Sequence, residues 1–484
     1  MSVIIEKFDK VCDKYKERTA FYFIKNNEII EKSFDSLMKD VEKVSGLLYK
    51  KGVRKNHRII VLTPPSYDLV IFMLSCIKIG ASIMYVDIWA NSKLIQSTFD
   101  KYRPDFIAYS RKTYVIKWFF KHFKNVKKGL FVDKLLETEE TLKFPKEKID
   151  DDNIALLTMT TGSTGDPKIV LRSHKDLYQQ LSLINKNMDE SKHPQIVLTT
   201  AFMYSFSNLL NGYSTVLPQV NLGNPFKFLL NRKLKKFSKL DINTIITSPD
   251  FCIDTKNFYS NLKKLYIGGA ILNYNETKKI IDNYPNVDIT YIYGSTECNI
   301  ITKTNLSDYM DRLENLECAV LGSAVDGVKI RTNKNDEIMV SSDALLNNYL
   351  DVDFSNKESD EHGVIWHKTG DLGRYKDNKL VYYGRKNIYI VDKDKLIHSN
   401  PLEQKLVRKF DSIKKCAFFN HKGKNHLFIQ GKKNINEEIS RYINDLGLSE
   451  DTIIWYRNKI PCDVKHHTKI NYRKLKQIVD RKLK

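Results

Sequence analysis

The sequence predicts an α/β protein, with a large N-terminal domain of mostly parallel sheets layered with helices and a small α+β C-terminal domain. Three observations predict it. At 484 residues the chain exceeds what one hydrophobic core usually organises, so two domains are favoured. Short apolar runs alternate with helical patterns through most of the first 380 residues, the rhythm of a parallel sheet. A lysine-dense stretch then follows a candidate boundary at Gly384-Arg385-Lys386-Asn387, dividing the chain into 1–384 and 385–484.

The elements read in order as follows. Residues 1–18 carry charges throughout and lack a long apolar run, so no secretory signal is expected. Arg58-Ile59-Ile60-Val61-Leu62 is a buried strand, 67–78 a helix and 81–86 a second strand. The most apolar stretch, 69–86, is broken by Lys78 and Gly80, which suits a buried helix entering a strand better than a bilayer span. Further strands are predicted at 195–200, 244–247, 264–267, 289–293 and 380–383.

The composition is 42% hydrophobic and 28% charged, which fits a folded globular chain and excludes a disordered one. Seven cysteines lie scattered without CxxC spacing, against structural zinc and for a reducing compartment, with the cytoplasm expected. The net charge of +21 reads as a lysine-coated surface or as a field that attracts an acidic partner or anionic substrate. Nucleic acid is not expected, because no recognised binding motif appears.

The strongest local signal is Leu157-Thr158-Met159-Thr160-Thr161-Gly162-Ser163-Thr164-Gly165-Asp166-Pro167-Lys168. An apolar strand enters a loop of Gly, Ser and Thr. Small residues let backbone N–H groups and hydroxyls close around phosphate oxygens, and Lys168 adds a point charge. Asp166 and Pro167 follow the second glycine, so this is not a P-loop. Taken alone, such a loop could equally be a hairpin or a linker.

The segment resembles the signature loop of the adenylate-forming superfamily, which contains acyl-CoA synthetases, peptide-synthetase adenylation domains and firefly luciferase. Tyr293-Gly294-Ser295-Thr296-Glu297 resembles that family's YGxTE motif, and Lys368-Thr369-Gly370-Asp371-Leu372 its TGD motif. Gly384-Arg385 matches the boundary arginine, and Lys469 sits in a stretch similar to the one that carries the catalytic lysine. The wording around 366–371 and 465–469 is most similar to olefin β-lactone synthetases and fatty-acid AMP ligases.

The resemblance implies ATP and Mg²⁺ as partners in forming an acyl-adenylate from a carboxylic acid, with release of pyrophosphate. Thr160, Thr161, Gly162, Ser163, Thr164, Gly165 and Lys168 would surround phosphate. Gly268, Gly269 and Ala270 would flank adenine, where absent side chains admit a flat ring. Tyr293, Gly294 and Ser295 would join them at the nucleotide, and the Thr296 hydroxyl suits an α-phosphate oxygen. Glu297 suits Mg²⁺, while Asp371, beside a tight turn at Gly370, suits the ribose hydroxyls and Arg385 the same edge. Lys469 would supply charge where negative charge rearranges.

In amino-acid-activating relatives an Asp after the signature loop binds the substrate ammonium. Here the corresponding segment, 201–208, has no acidic residue, so an α-amino acid is disfavoured. Tyr204, Phe206 and Ser207 are candidates for an apolar pocket taking a fatty, hydroxy-fatty or aryl acid, with core packing the alternative for each. Acyl transfer to CoA or to carrier-protein phosphopantetheine is expected next, the carrier being acidic. The glycine-free segment 390–396, Asn387 at the hinge and Thr468 before the lysine depart from the thioester-forming pattern. A stand-alone acyl-AMP ligase or β-lactone synthetase, and a nucleotide-binding protein without catalysis, therefore remain open.

Overall fold

The computed structural model describes residues 2–86, 92–114, 126, 129–140, 142–145, 147–161, 167–188, 195–218, 227–316, 318–346, 348–350, 356–392, 395–431, 436–448, 452–463 and 468–482. Two large sheets carry the parallel strands. In the nine-stranded sheet, Thr19–Lys25, Ser214–Leu217, Ile196–Thr199, Thr244–Thr247, Lys264–Gly268 and Asp288–Tyr293 run parallel, side by side in that order. Antiparallel strands close both of its edges. In the seven-stranded sheet, Gly129–Phe131, Phe106–Tyr109, Arg58–Leu62, Ser82–Tyr85 and Ile154–Thr161 run parallel. Pro167–Ser173 and Asn348–Leu350 follow antiparallel.

The central strand Arg58–Leu62 of the seven-stranded sheet is buried on both faces, so Ile59 to Leu62 form a continuous apolar run. Ile59 and Val61 enter one core cluster, while Ile60 and Leu62 enter another on the opposite face. Alternation along a strand sends successive side chains to opposite faces, and here neither face meets water. Helix Tyr67–Ile79 begins where the Ser66 hydroxyl accepts the Leu69 amide at 3.2 Å and ends at Gly80, whose φ of +79° suits a glycine.

A six-stranded sheet spanning 319–385 is wholly antiparallel, an addition to the parallel pattern that short alternating strands did not reveal. The strand expected at 380–383 runs Lys379–Arg385, so the candidate boundary glycine and arginine lie inside it. Gly370 does not make a turn. It sits within strand Ile365–Lys376, where pairing passes from Lys368↔Met339 to Leu372↔Glu337. Extra residues on one strand make a bulge, and the Gly370 φ of +74° is the left-handed conformation that such a bulge asks of glycine.

Beyond residue 388, a three-stranded sheet of Ile413–His421, Lys424–Gly431 and Ile453–Arg457 separates two smaller core clusters. One gathers Ile390, Leu406, Phe418 and Ile443; the other Ala417, Phe428, Leu475 and Val479. Strands Tyr389–Asp392 and Lys395–His398 pair as a separate ribbon. Among the described residues, no helix is long and apolar enough to cross a membrane.

Candidate functional site

The carboxyl ends of the parallel strands collect the predicted residues. Gly268 ends one strand, Tyr293 the next, and Thr199 and Thr247 two more in the same sheet. Loops at that edge are where open α/β sheets bind ligands. A cleft of about 180 Å³ opens there, lined by Gly269, Ala270, Tyr293, Gly294, Asp371, Arg385 and Lys469 among others. Residues separated by two hundred positions in the sequence thus share one cavity.

Each of these residues is fixed by local chemistry. A Cβ on Gly268 would press to 2.7 Å from the Ile292 carbonyl oxygen, and Gly269 has φ +102°. The Ala270 carbonyl accepts the Tyr291 hydroxyl at 2.6 Å. At Gly294 a Cβ would lie 2.0 Å from the Asn299 carbonyl oxygen, so the loop closes only over glycine. The Ser295 hydroxyl accepts the Cys298 amide at 3.1 Å, which holds the same loop.

Asp371 is buried at 5% exposure. Its Oδ2 accepts the Tyr293 hydroxyl at 2.7 Å, and Arg385 Nε lies 3.0 Å from Oδ1. That second contact is an ion pair without hydrogen-bond alignment, which leaves Oδ1 without an aligned donor. Burial, and then the Asp371 charge, raise the Tyr293 phenol well above its ordinary range, so it stays a donor. Asp371 also raises the Arg385 pKa, keeping the guanidinium charged.

A second group of contacts, which the sequence reading missed, fixes Thr296 and Glu297. Arg172, in the second strand of the signature pair, is buried at 4% exposure. Its guanidinium donates to Gln180 Oε1 at 2.8 Å, to Thr158 Oγ1 at 2.6 Å and to the Thr296 carbonyl at 3.0 Å. Gln180 donates in turn to the Glu297 carbonyl at 3.1 Å. The Glu297 carboxylate accepts the Tyr349 hydroxyl at 2.9 Å. Burial pushes the Arg172 pKa down to about 10, with Glu297 opposing it. An arginine in a strand followed by a glutamine in a helix has no motif, and its role emerges only from the fold.

The signature segment joins two antiparallel strands in register Thr161↔Pro167 and Thr160↔Lys168. Both of its flanks are strands, and neither is a helix. Gly162, Ser163, Thr164 and Gly165 lie outside the described residues, and the backbones of Thr160, Thr161 and Lys168 flank them. Residues 469–471 pair with 461–463. The Lys469 carbonyl accepts the Asp463 amide at 2.7 Å, the Pro461 carbonyl accepts the Asn471 amide at 2.9 Å, and Cys462 bridges Ile470.

The three acid-pocket candidates have different surroundings. All belong to helix Met203–Leu210. Phe206 meets Phe202 edge-to-face at 5.8 Å between centroids and also borders a small apolar cavity with Ile4, Ile5, Leu74 and Leu181. The buried Ser207 hydroxyl bonds Asn185. Tyr204 is only half-buried, and desolvation pushes its phenol up to about 12. Near it, Phe202 stacks on Tyr85 at 6.0 Å between centroids. Asn387 is exposed, in a turn closed by the Ile388 amide on the Arg385 carbonyl at 2.9 Å.

Comparison with known proteins places this site in context. The family model described as AMP-binding enzyme matches residues 8–350. The chain is 26% identical over 378 residues to 4-coumarate--CoA ligase-like 2 of Arabidopsis thaliana, covering 70% of this chain and 66% of that one. It is 22% identical over 400 residues to the D-alanine--D-alanyl carrier protein ligase of Staphylococcus aureus, covering 80% and 78%. The fold matches ATP-bound MatB from Rhodopseudomonas palustris with a TM-score of 0.81 at 14% identity, over 99% and 100% of the two chains. With most of its length matched by that family model, and with the fold to go with it, the chain belongs to the AMP-binding enzyme family.

Proposed function

We propose that the protein activates a carboxylic acid with ATP, forming an acyl-adenylate and releasing pyrophosphate, with residues 1–384 holding nucleotide and acid and residues 385–484 forming a lid. The observation that carries this reading is the shared cleft of Asp371, Arg385, Gly269 and Lys469. Nothing in a merely structural role requires a lysine from the last twenty residues to line the same cavity as the buried Asp371 and its partner Arg385.

The residues fit the nucleotide. Asp371 Oδ1, buried and without an aligned donor, suits a ribose hydroxyl, and Tyr293 holds the carboxylate in place for it. Gly269 and Ala270 leave room for the base. In the reaction a carboxylate oxygen of the acid attacks the α-phosphorus as the bond to pyrophosphate breaks. Lys469 stabilises the charge gathering on the α-phosphate, and the Thr296 hydroxyl donates to it. The Gly, Ser and Thr residues of the signature segment are, by their composition, the ones suited to donate N–H groups to the outgoing phosphates. Glu297 is the carboxylate suited to hold Mg²⁺, which neutralises phosphate charge when bound.

Tyr204 and the stacked Tyr85–Phe202 pair support an apolar acid. The two named relatives, one a CoA ligase-like protein and one a carrier protein ligase, support a thiol acceptor for the acyl group. Against CoA stands the 389–398 ribbon, which has no glycine and presents Asp392 and Lys395; Lys393 and Asp394 lie outside the described residues. A stand-alone acyl-AMP ligase is the second reading. Acid-dependent pyrophosphate release against fatty, β-hydroxy and aryl acids tests the activity. Decay of the trapped acyl-AMP with CoA, with a pantetheinylated carrier and with neither then separates the acceptors. Release of phosphate instead of pyrophosphate would overturn the activity itself.

A further inference from the structure

We propose that Lys415 is a positioning residue for adenylation, latching the segment that carries Lys469 onto the start of helix Tyr274–Asn283. The inference rests on the role just assigned to Lys469. The Lys415 ammonium lies 2.7 Å from Glu276 Oε1 and donates to the Thr468 carbonyl at 2.8 Å. Both side chains are nearly enclosed, at 12% and 13% exposure. One lysine therefore joins the helix start to the residue immediately before Lys469.

Glu276 is a rigid anchor. It completes a capping box: Asn273 accepts the Glu276 amide at 2.9 Å, and Glu276 Oε2 accepts the Asn273 amide at 3.2 Å. Its second oxygen is thus committed to the helix start, which fixes the first for Lys415. Weaker contacts surround the pair. Asn273 and Asn275 donate to the Lys414 and Ile413 carbonyls at 3.3 and 3.2 Å, and Gln404 donates to the Leu272 carbonyl at 3.1 Å. Among the described residues, Lys415–Glu276 is the ion pair that ties 272–276 to the chain beyond 385.

The far end of the lysine segment is gripped as well. Tyr472 donates to Glu403 Oε1 at 2.7 Å, and the same oxygen accepts the Phe418 amide at 2.8 Å. Thr468 and Tyr472 are therefore held from two sides, with Lys469 between them facing the cleft. Of these holds, Lys415 alone reaches across to the helix on the nucleotide side. Removing it frees the approach of Lys469 while leaving the segment folded.

The test uses the full chain as wild type, Lys415→Met, Lys415→Arg, Glu276→Gln and the Lys415→Met/Glu276→Gln double variant. Hydrogen exchange is measured without ligand, alongside single-turnover acyl-AMP formation and the ATP Kd. Lys415→Met should speed exchange in 272–276 and 468–472 and slow acyl-AMP formation by about tenfold, as loss of a charged hydrogen bond does. Lys415 and Glu276 also border the cleft, but the ammonium is committed to Glu276 and the Thr468 carbonyl, so the ATP Kd should change by less than the rate. Glu276→Gln should act in the same direction, the double variant should be no worse than Lys415→Met, and Lys415→Arg should recover most of the rate. Unchanged exchange in Lys415→Met, a loss confined to the ATP Kd, or losses that multiply in the double variant would each overturn the proposal. A wild type that forms no acyl-AMP would refute the adenylation reading, and exchange would still decide the latch.

Discussion

The Tyr293 hydroxyl donates to Asp371 Oδ2 at 2.7 Å, joining the end of a parallel strand to the bulge of an antiparallel one. Two motifs that look independent in the sequence are thus one device, in which a phenol aims a carboxylate. Removing the donor leaves a buried carboxylate oxygen unpaired. Tyr293→Phe should weaken ATP binding by roughly 5- to 30-fold, the usual scale for a hydrogen bond to a buried charge. Calorimetric titration with ATP checks it, and an unchanged Kd would show that Asp371 is aimed by other contacts.

Arg172 should matter although it does not line the cleft. It carries the Thr296 carbonyl and, through Gln180, the Glu297 carbonyl. Arg172→Met keeps much of the volume and removes three donors. We expect the rate of acyl-AMP formation to fall by at least about tenfold, on the scale of one misplaced catalytic group. ATP affinity should fall less. Single-turnover kinetics separates the two, and equal losses in both would assign Arg172 to nucleotide binding instead.

Much of this was legible in the sequence because the parallel strands are short and buried on both faces. Arg58-Ile59-Ile60-Val61-Leu62 carries its burial in its composition, and the motif residues announce themselves by fixed spacing. Other features were hidden for physical reasons. Gly370-Asp371 reads as a turn because glycine beside aspartate usually is one, whereas long-range pairing with Glu337–Ser341 makes it a bulge inside a strand. Arg172, Tyr349 and Lys415 act through partners far away in the chain, and no local pattern marks such a pair.

Glu403 should give the protein a pH-dependent stability. Burial pushes its carboxyl from an ordinary 4.5 up to about 7, opposed in part by the Phe418 amide, the Tyr472 hydroxyl and Lys415. A carboxyl raised on folding holds its proton in the native state where the unfolded chain has lost it. Its contribution is therefore complete below pH 4.5 and lost as pH rises to about 7. Wild type minus Glu403→Gln should fall across that window by about 3 kcal/mol in all. Urea unfolding at a series of pH values measures it, and a flat difference would place Glu403 in a more hydrated setting.

The acid should be apolar or neutral apart from its carboxylate, because residues 201–208 offer no acidic partner and Tyr85 and Phe202 stack beside Tyr204. Acid-dependent pyrophosphate exchange across a panel reports the preference. A best response to a zwitterionic amino acid would contradict this, and would direct attention to Asp250, a buried carboxylate after strand Thr244–Thr247.

The most direct test of the whole account is single-turnover formation of acyl-AMP from α-labelled ATP and an accepted acid, in wild type and in Lys469→Ala. Lys469 is useful mainly where charge gathers in the transition state. The variant should therefore lose at least about 10²-fold in rate, as removal of one well-placed donor does, while still binding ATP within about threefold of wild type. Near-normal acyl-AMP formation in Lys469→Ala would remove that lysine from the chemistry and contradict the account.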